Sequence, residues 1–333
     1  MTTLITGASG FVGSKLCSEL LARDHEIQGI VRSKSLAHLA PSIRKHYRAL
    51  GNIESDTDWS KALSDIDFII HCAARAHVMN ETEADALAAY RAVNVEGTKN
   101  LAEQATDAGV KRFIFLSSIK VNGERTNSPH SNPLPEGEGI LREHFSVNDN
   151  PAPKDAYGIS KWEAERALYE VSARTGLEVV IIRPPLVYGP GVKGNFLSML
   201  GWLNKGIPLP LGTIHNQRSL VGIDNLVDLI ITCIDHPAAA NQTFLVSDDQ
   251  DLSTDELLRR MSKALGKPAR LLHVPAWLFQ LGAQMFGKQD IAQRLLGNLQ
   301  VDISQTKEIL DWTPPVSVDD GLRKTAEWYL NQK

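Results

Sequence analysis

Cysteine is scarce in this chain. Three in 333 residues, Cys17, Cys72 and Cys233, stand far apart with no Cys-x-x-Cys pair. An odd, sparse set argues against a disulfide framework or a zinc site, and fits reduced thiols packed as small core residues in a cytoplasm. His71 and His77 have no partner at ligand spacing, so both read as structural and no metal is expected. There is no basic tract, and the net charge is −4, which argues against a nucleic-acid partner. Long apolar runs are missing too. Residues 226–234 are apolar but too short to cross a bilayer, and Asp224, Asp228 and Asp235 interrupt the stretch. The start, Met-Thr-Thr-Leu-Ile-Thr-Gly, has no cationic region followed by an apolar segment, so a signal peptide is not expected. Repeats and low-complexity segments are absent. A hydrophobic content of 43% remains, enough for one large core or two fused lobes.

Residues 3–6 read as a short buried strand leading into Gly7-Ala8-Ser9-Gly10-Phe11-Val12-Gly13, with an amphipathic helix to about residue 23. The first glycine permits a tight turn. The next lets backbone N–H groups approach a pyrophosphate at the helix N-terminus, and the third lets helix and strand pack closely. Between a strand and a helix, that spacing is the context dinucleotide binding needs. A second strand, 27–31, ends at Arg32-Ser33-Lys34. An acid at this place would bond a free ribose 2′-hydroxyl, whereas an arginine accommodates a 2′-phosphate. Arg32 therefore favours NADP(H), with NAD(H) the alternative.

Further strands are expected at 47–50, 68–72, 112–116, 179–183 and 243–246. Asn52 and Ile53 follow the third, where an amide and an apolar group can flank an adenine. Ala73, Ala74 and Arg75 follow the fourth, and small residues there let a flat cofactor lie close. A long helix, 84–108, carries Asn94, read as a tie between neighbouring backbone groups. Ser118 lies just past the fifth strand and can donate to a carbonyl or alkoxide oxygen. Residues 124–154 read as a long polar surface loop, of the kind that can form part of a lid. Asp155 caps a helix to about 175, and on its first turns Tyr157 and Lys161 share a face. A free phenol titrates near ~10, and a lysine ammonium beside it is expected to lower that value into working range. Alternation of strands with helices predicts an α/β fold, a Rossmann doubly wound parallel sheet with a smaller C-terminal substrate lobe. The nucleotide unit is drawn at 1–185 plus a return segment, 223–247, and the lobe at 186–222 and 248–333.

Taken together, Thr6 to Gly13, His71-Cys72-Ala73-Ala74, Asn94-Val95-Glu96-Gly97-Thr98, Ser117-Ser118, Tyr157 to Lys161 and Arg183 to Gly191 resemble the extended short-chain dehydrogenase/reductases, the NAD-dependent epimerase/dehydratase family acting on nucleotide sugars. The resemblance spans nearly the whole chain. It implies Ser118, Tyr157 and Lys161 as the catalytic set, with Lys161 also holding the nicotinamide ribose. It implies cofactor contacts from the glycine loop, including Ser9, Phe11 and Val12, and from Pro184. It also implies a UDP-sugar substrate, with Asn195 and Arg218 at the diphosphate and Lys120 and Leu209 nearby, and a homodimer pairing the helices 84–108 and 155–175.

Departures from the family narrow the chemistry. Sugar 4,6-dehydratases carry an Asp-Glu pair after the catalytic threonine, and here Ile119 and Lys120 stand in those places, which disfavours dehydration. The usual tyrosine before the glycine is Asn122. The runs Ser118 to Glu124 and Ala74 to Met79 resemble a subgroup of reductases from bacterial surface polysaccharide loci, and that resemblance implies NAD(P)H-dependent reduction of the C4 ketone of a UDP-4-keto-6-deoxy-N-acetylhexosamine. The alternatives are a UDP-hexose 4-epimerase with retained NAD and a non-catalytic nucleotide sensor on the same fold.

Overall fold

The computed structural model describes residues 1–76, 85–126, 143–275 and 296–332. His77, residue 84 and most of the polar loop lie outside the described residues. The chain opens with β1 (Thr2–Thr6), α1 (Phe11–Ala22), β2 (Glu26–Val31), two short helices α2 (Ser33–Ala37) and α3 (Pro41–Arg44), β3 (Tyr47–Ala49) and β4 (Phe68–His71). It continues with α4 (Ala86–Arg91), α5 (Gly97–Asp107), β5 (Arg112–Leu116), α6 (Ala156–Thr175) and β6 (Glu178–Arg183). Then come β7 (Leu186–Tyr188), α7 (Gly194–Asn204), β8 (Leu220–Gly222), α8 (Ile223–Asp235), β9 (Thr243–Leu245), α9 (Thr254–Ala264), α10 (Ser304–Leu310) and α11 (Val318–Leu330).

Seven strands form one parallel sheet in the order β3-β2-β1-β4-β5-β6-β9. The order reverses at β1, where Thr6 lies opposite Ile30 on one side and His71 on the other. Ligands of such sheets bind in the crevice at that reversal, outside the strands' carboxyl ends. Helices cover both faces, so the strands are apolar along their length rather than alternating. One face buries Leu16, Leu20, Leu226 and Ile230 of α1 and α8, and the other buries Trp59, Leu101 and Leu168. Each such side chain contributes about 1.5–3 kcal/mol on burial. A third cluster joins Phe196, Leu200, Leu257, Leu258 and Leu322 of α7, α9 and α11. Residues 299–312 do not join it: Leu299, Val301 and Trp312 pack in the first cluster.

Where the sequence reading drew a strand or helix, its bounds agree to within a residue or two; the short helices α2 and α3 were not foreseen, and two further differences stand out. The helix expected over 84–108 is interrupted by a π-helical turn, Ala92–Glu96, between α4 and α5. A two-stranded parallel sheet, β7 with β8, was not foreseen. Three-residue strands carry too little periodicity to read. Cys17, Cys72 and Cys233 are free thiols, the first and last buried and Cys72 half-buried. Among the described residues, no helix is long and apolar enough to cross a membrane.

Candidate active site

The glycine loop leaves β1 at the sheet's reversal. Gly7 has φ +66°, a left-handed conformation that glycine adopts without strain. A Cβ on it would stand 2.8 Å from the Ala73 nitrogen, so the two loops touch backbone to backbone. A Cβ on Gly13 would stand 2.3 Å from the Gly7 carbonyl oxygen. Gly10 is the N-cap of α1, with no side-chain cap and no acid in the first turn. The helix's first N–H groups therefore lack an intrahelical or capping partner, and Ser9 and Gly10 are exposed beside them. This cradle fits a pyrophosphate. Phe11 packs between the first and third apolar clusters, and Val12 packs on the first.

Other expected cofactor contacts lie just past strands β2, β3, β4 and β6. Ala73, Ala74 and Arg75 lie half-buried after β4, with the Ala73 N–H donating to Thr6 Oγ1 at 3.2 Å. His71 is structural, as read: its ring bonds Thr6 and Thr98 at 2.7 and 3.0 Å, and burial, with Lys161 nearby, pushes its pKa down to about 3. Arg32 is exposed at the end of β2, followed by exposed Ser33 and Lys34. Asn52 donates to Glu54 at 3.1 Å, and Ile53 packs on Gly97. Pro184 is buried after β6, and its carbonyl accepts from the Ile119 N–H at 3.0 Å.

Ser118 begins a 3-10 turn, Ile119–Val121, and accepts from the Lys120 N–H at 3.3 Å. Its own hydroxyl hydrogen is left to donate. Tyr157 stands on the first turn of α6, whose N-cap Asp155 accepts from the Gly158 N–H at 2.7 Å. A Cβ on Gly158 would lie 3.1 Å from the Lys120 carbonyl, so that first turn packs closely on the serine's turn. The Tyr157 ring meets Tyr90 edge-on at 6.1 Å.

The electrostatics correct one expectation. The Tyr157 phenol is pushed above its ordinary value, by burial first, then by the Asp155 carboxylate and the Tyr90 phenol. Lys161 does not supply the expected opposing pull. Its ammonium donates to the Leu116 carbonyl at 2.8 Å and lies 4.3 Å over the Phe115 ring. Burial brings Lys161 itself down to about 8.

The sequence pattern of the NAD dependent epimerase/dehydratase family matches residues 3–247. The chain belongs to that family. Over 329 residues it is 50% identical to a UDP-glucose 4-epimerase of Vibrio cholerae, covering 98% of this chain and 95% of the relative. It is 29% identical over 296 residues to the N-acetyl-alpha-D-glucosaminyl-diphospho-ditrans,octacis-undecaprenol 4-epimerase of Escherichia coli O157:H7, covering 88% and 80%. The fold matches that of a UDP-glucuronic acid 4-epimerase from Bacillus cereus solved with NAD, at a TM-score of 0.76 and 22% identity, covering 99% and 96%. The extended short-chain dehydrogenase/reductase fold is thereby shown.

Within this family member the substrate-side residues are unevenly placed. Asn195 is exposed at the start of α7. Arg218 is half-buried and donates to the Gly297 carbonyl at 3.0 Å. Leu209 is buried in the third cluster, with backbone bonds to Arg270 and Leu272, so its side chain serves the core. Lys120 is committed to an ion pair with Asp155 and a second with Glu124 at 3.2 Å.

Two polar networks escaped the sequence reading in whole or part. Asn94, on the π-helical turn, accepts from the Arg75 N–H at 2.8 Å and donates to Ser160 Oγ at 2.9 Å, and Ser160 donates to the Tyr157 carbonyl. The tie expected of Asn94 thus reaches the tyrosine's own turn. Behind α6, Glu165 forms a buried bidentate pair with Arg183 and accepts from Ser117, while Arg183 donates to Asn122 Oδ1 at 3.0 Å. Glu165 shares a face with Lys161 four residues earlier. That spacing was a usable signal; its partner on β6 was not readable from sequence.

Proposed function

We propose that this protein interconverts the C4 epimers of a UDP-hexose, or its N-acetyl form, on a retained NAD. The supporting observation is an intact Ser118, Tyr157 and Lys161 set in a chain 50% identical to a UDP-glucose 4-epimerase over nearly the whole of both. Bound NAD supplies the hydride acceptor and donor. The glycine loop would hold its pyrophosphate, and Ala73, Ala74, Arg75 and Pro184 would contact the cofactor. Tyr157 takes the C4 hydroxyl proton as the ketone forms and returns it once the sugar has turned over. Ser118 donates to the C4 oxygen, and Lys161 would hold the nicotinamide ribose. Arg218 meets the diphosphate, which a guanidinium can bind bidentately. Neither Ile119 nor the ion-paired Lys120 can act as the second acid of a dehydratase.

Incubation with UDP-galactose and no added nicotinamide tests this. Conversion to UDP-glucose without net change in reduced-cofactor absorbance is expected. A second reading, reduction of a UDP-4-keto-6-deoxy-N-acetylhexosamine by NADPH in surface polysaccharide synthesis, is favoured by exposed Arg32 and the lack of an acid at the end of β2. Stoichiometric loss of NADPH on a 4-keto sugar, with no epimerisation, would replace the first reading by the second. Arg32→Asp is expected to move cofactor preference toward NADH, and a wild type that already prefers NADH removes that role. Both readings include a homodimer through α4, α5 and α6, and a monomer in sedimentation would exclude it.

A further inference from the structure

Lys120 occupies a position two residues past Ser118, and the epimerase chemistry gives it no task. The geometry points to Lys120 as a positioning residue for Tyr157, acting through Asp155. This rests on Tyr157 as the proton carrier of the proposed reaction.

Asp155 uses its two oxygens separately. Oδ1 accepts from the Gly158 N–H and caps α6, while Oδ2 meets the Lys120 ammonium. The cap fixes where the helix begins, and Tyr157 is its second residue. The ammonium offsets a carboxylate two residues from the phenol. Such a carboxylate disfavours the phenolate, which the reaction must form. Gly158, lying against the Lys120 carbonyl, lets the two turns approach closely enough for this pair.

Among the described residues, the following charged and titratable groups lie on the elements around Tyr157. Tyr90 comes from α4, with Arg75 over its ring at 5.6 Å. Arg91 of α4 is paired with Glu163 on α6. Glu124 shares the Lys120 ammonium, and Lys154 precedes the cap. Lys161 is turned to Leu116, and Glu165 to Arg183. Among the described residues, Lys120 is the cation paired with Asp155.

Two substitutions with opposite signs test this. Lys120→Met leaves the carboxylate uncompensated and is expected to move the acid limb of the kcat/KM profile up by about one pH unit. Asp155→Asn keeps the helix cap, because asparagine caps as well as aspartate, and is expected to move the limb down by a similar amount. The double variant should titrate near the wild type, and Lys120→Arg should restore the profile. Phenolate absorbance of the NAD-loaded variants, each measured against its Tyr157→Phe counterpart, should shift in the same directions. That absorbance decides the matter even if no UDP-hexose is turned over, so failure of the reaction and failure of this role are distinguishable. The role is overturned if both single variants leave limb and absorbance unmoved, or if both move them the same way. It is also overturned if Lys120→Met raises only the KM for the UDP-sugar, which would make Lys120 a substrate ligand.

Discussion

Gly13→Ala is expected to destabilise the protein, whereas Gly201→Ala stabilises it. Both glycines lie inside helices, Gly13 in α1 and Gly201 in α7. In an open helical site, alanine gains up to about 1 kcal/mol over glycine. At Gly201 the nearest atom to an added Cβ is the Tyr329 hydroxyl at 3.7 Å, an ordinary contact, so the gain should be kept. At Gly13 the same carbon falls 2.3 Å from the Gly7 oxygen and 2.8 Å from its carbon, both backbone atoms. Relieving that overlap requires α1 to shift from β1, and overpacking of this kind costs about 1–3 kcal/mol. After the full propensity gain, a net loss of up to about 2 kcal/mol remains. Urea unfolding followed by circular dichroism should show the midpoint falling for Gly13→Ala and rising for Gly201→Ala at similar slope. NADH fluorescence should report weaker binding for the first variant only. A Gly13→Ala protein as stable as wild type, with unchanged NADH binding, would refute the close helix–strand contact and the cradle built on it.

Other substitutions separate chemistry from stability. Tyr157→Phe should lower turnover by about 10²–10⁴-fold with cofactor affinity nearly intact, checked by kcat and NADH titration. Glu165→Ala leaves Arg183 buried without its carboxylate and should cost about 3–5 kcal/mol in urea unfolding. Lys161→Met should abolish turnover yet raise stability at pH 7. Holding that lysine charged, with its value brought from 10.5 to about 8, costs about 3 kcal/mol, of which the lost Leu116 bond returns about 1. The folded value is depressed, so the unfolded chain binds more protons between about pH 8 and 10.5, and wild-type stability rises across that window. The variant's advantage should shrink there, as thermal melts at pH 7 and pH 10 would show.

What the sequence made legible was local. The strand, glycine turn and helix of residues 2–22 occupy neighbouring positions, and buried runs such as Phe113 to Phe115 declare parallel strands. Asp155 announced its helix because a cap acts within three residues. The missed features depend on distant partners. Nothing in Ala92–Glu96 encodes a π-helical turn; it accommodates Asn94 between the Arg75 backbone and Ser160. The Lys161 ammonium turns to a carbonyl 45 residues away, which no spacing reveals. Lys120 looked like a substrate cation because Asp155 lies 35 residues on.

The seventh strand has a bearing on how the protein is made. β9 arrives about sixty residues after β6 and pairs with Ile181, Ile182 and Arg183. A ribosome adding roughly 5–20 residues per second leaves that flank bare for about three to twelve seconds. During that interval a nascent chain displays an unpaired apolar edge, open to a neighbour on the same message. Expression trouble in variants of 184–242 would then arise from delayed closure during synthesis, with the finished enzyme itself unharmed.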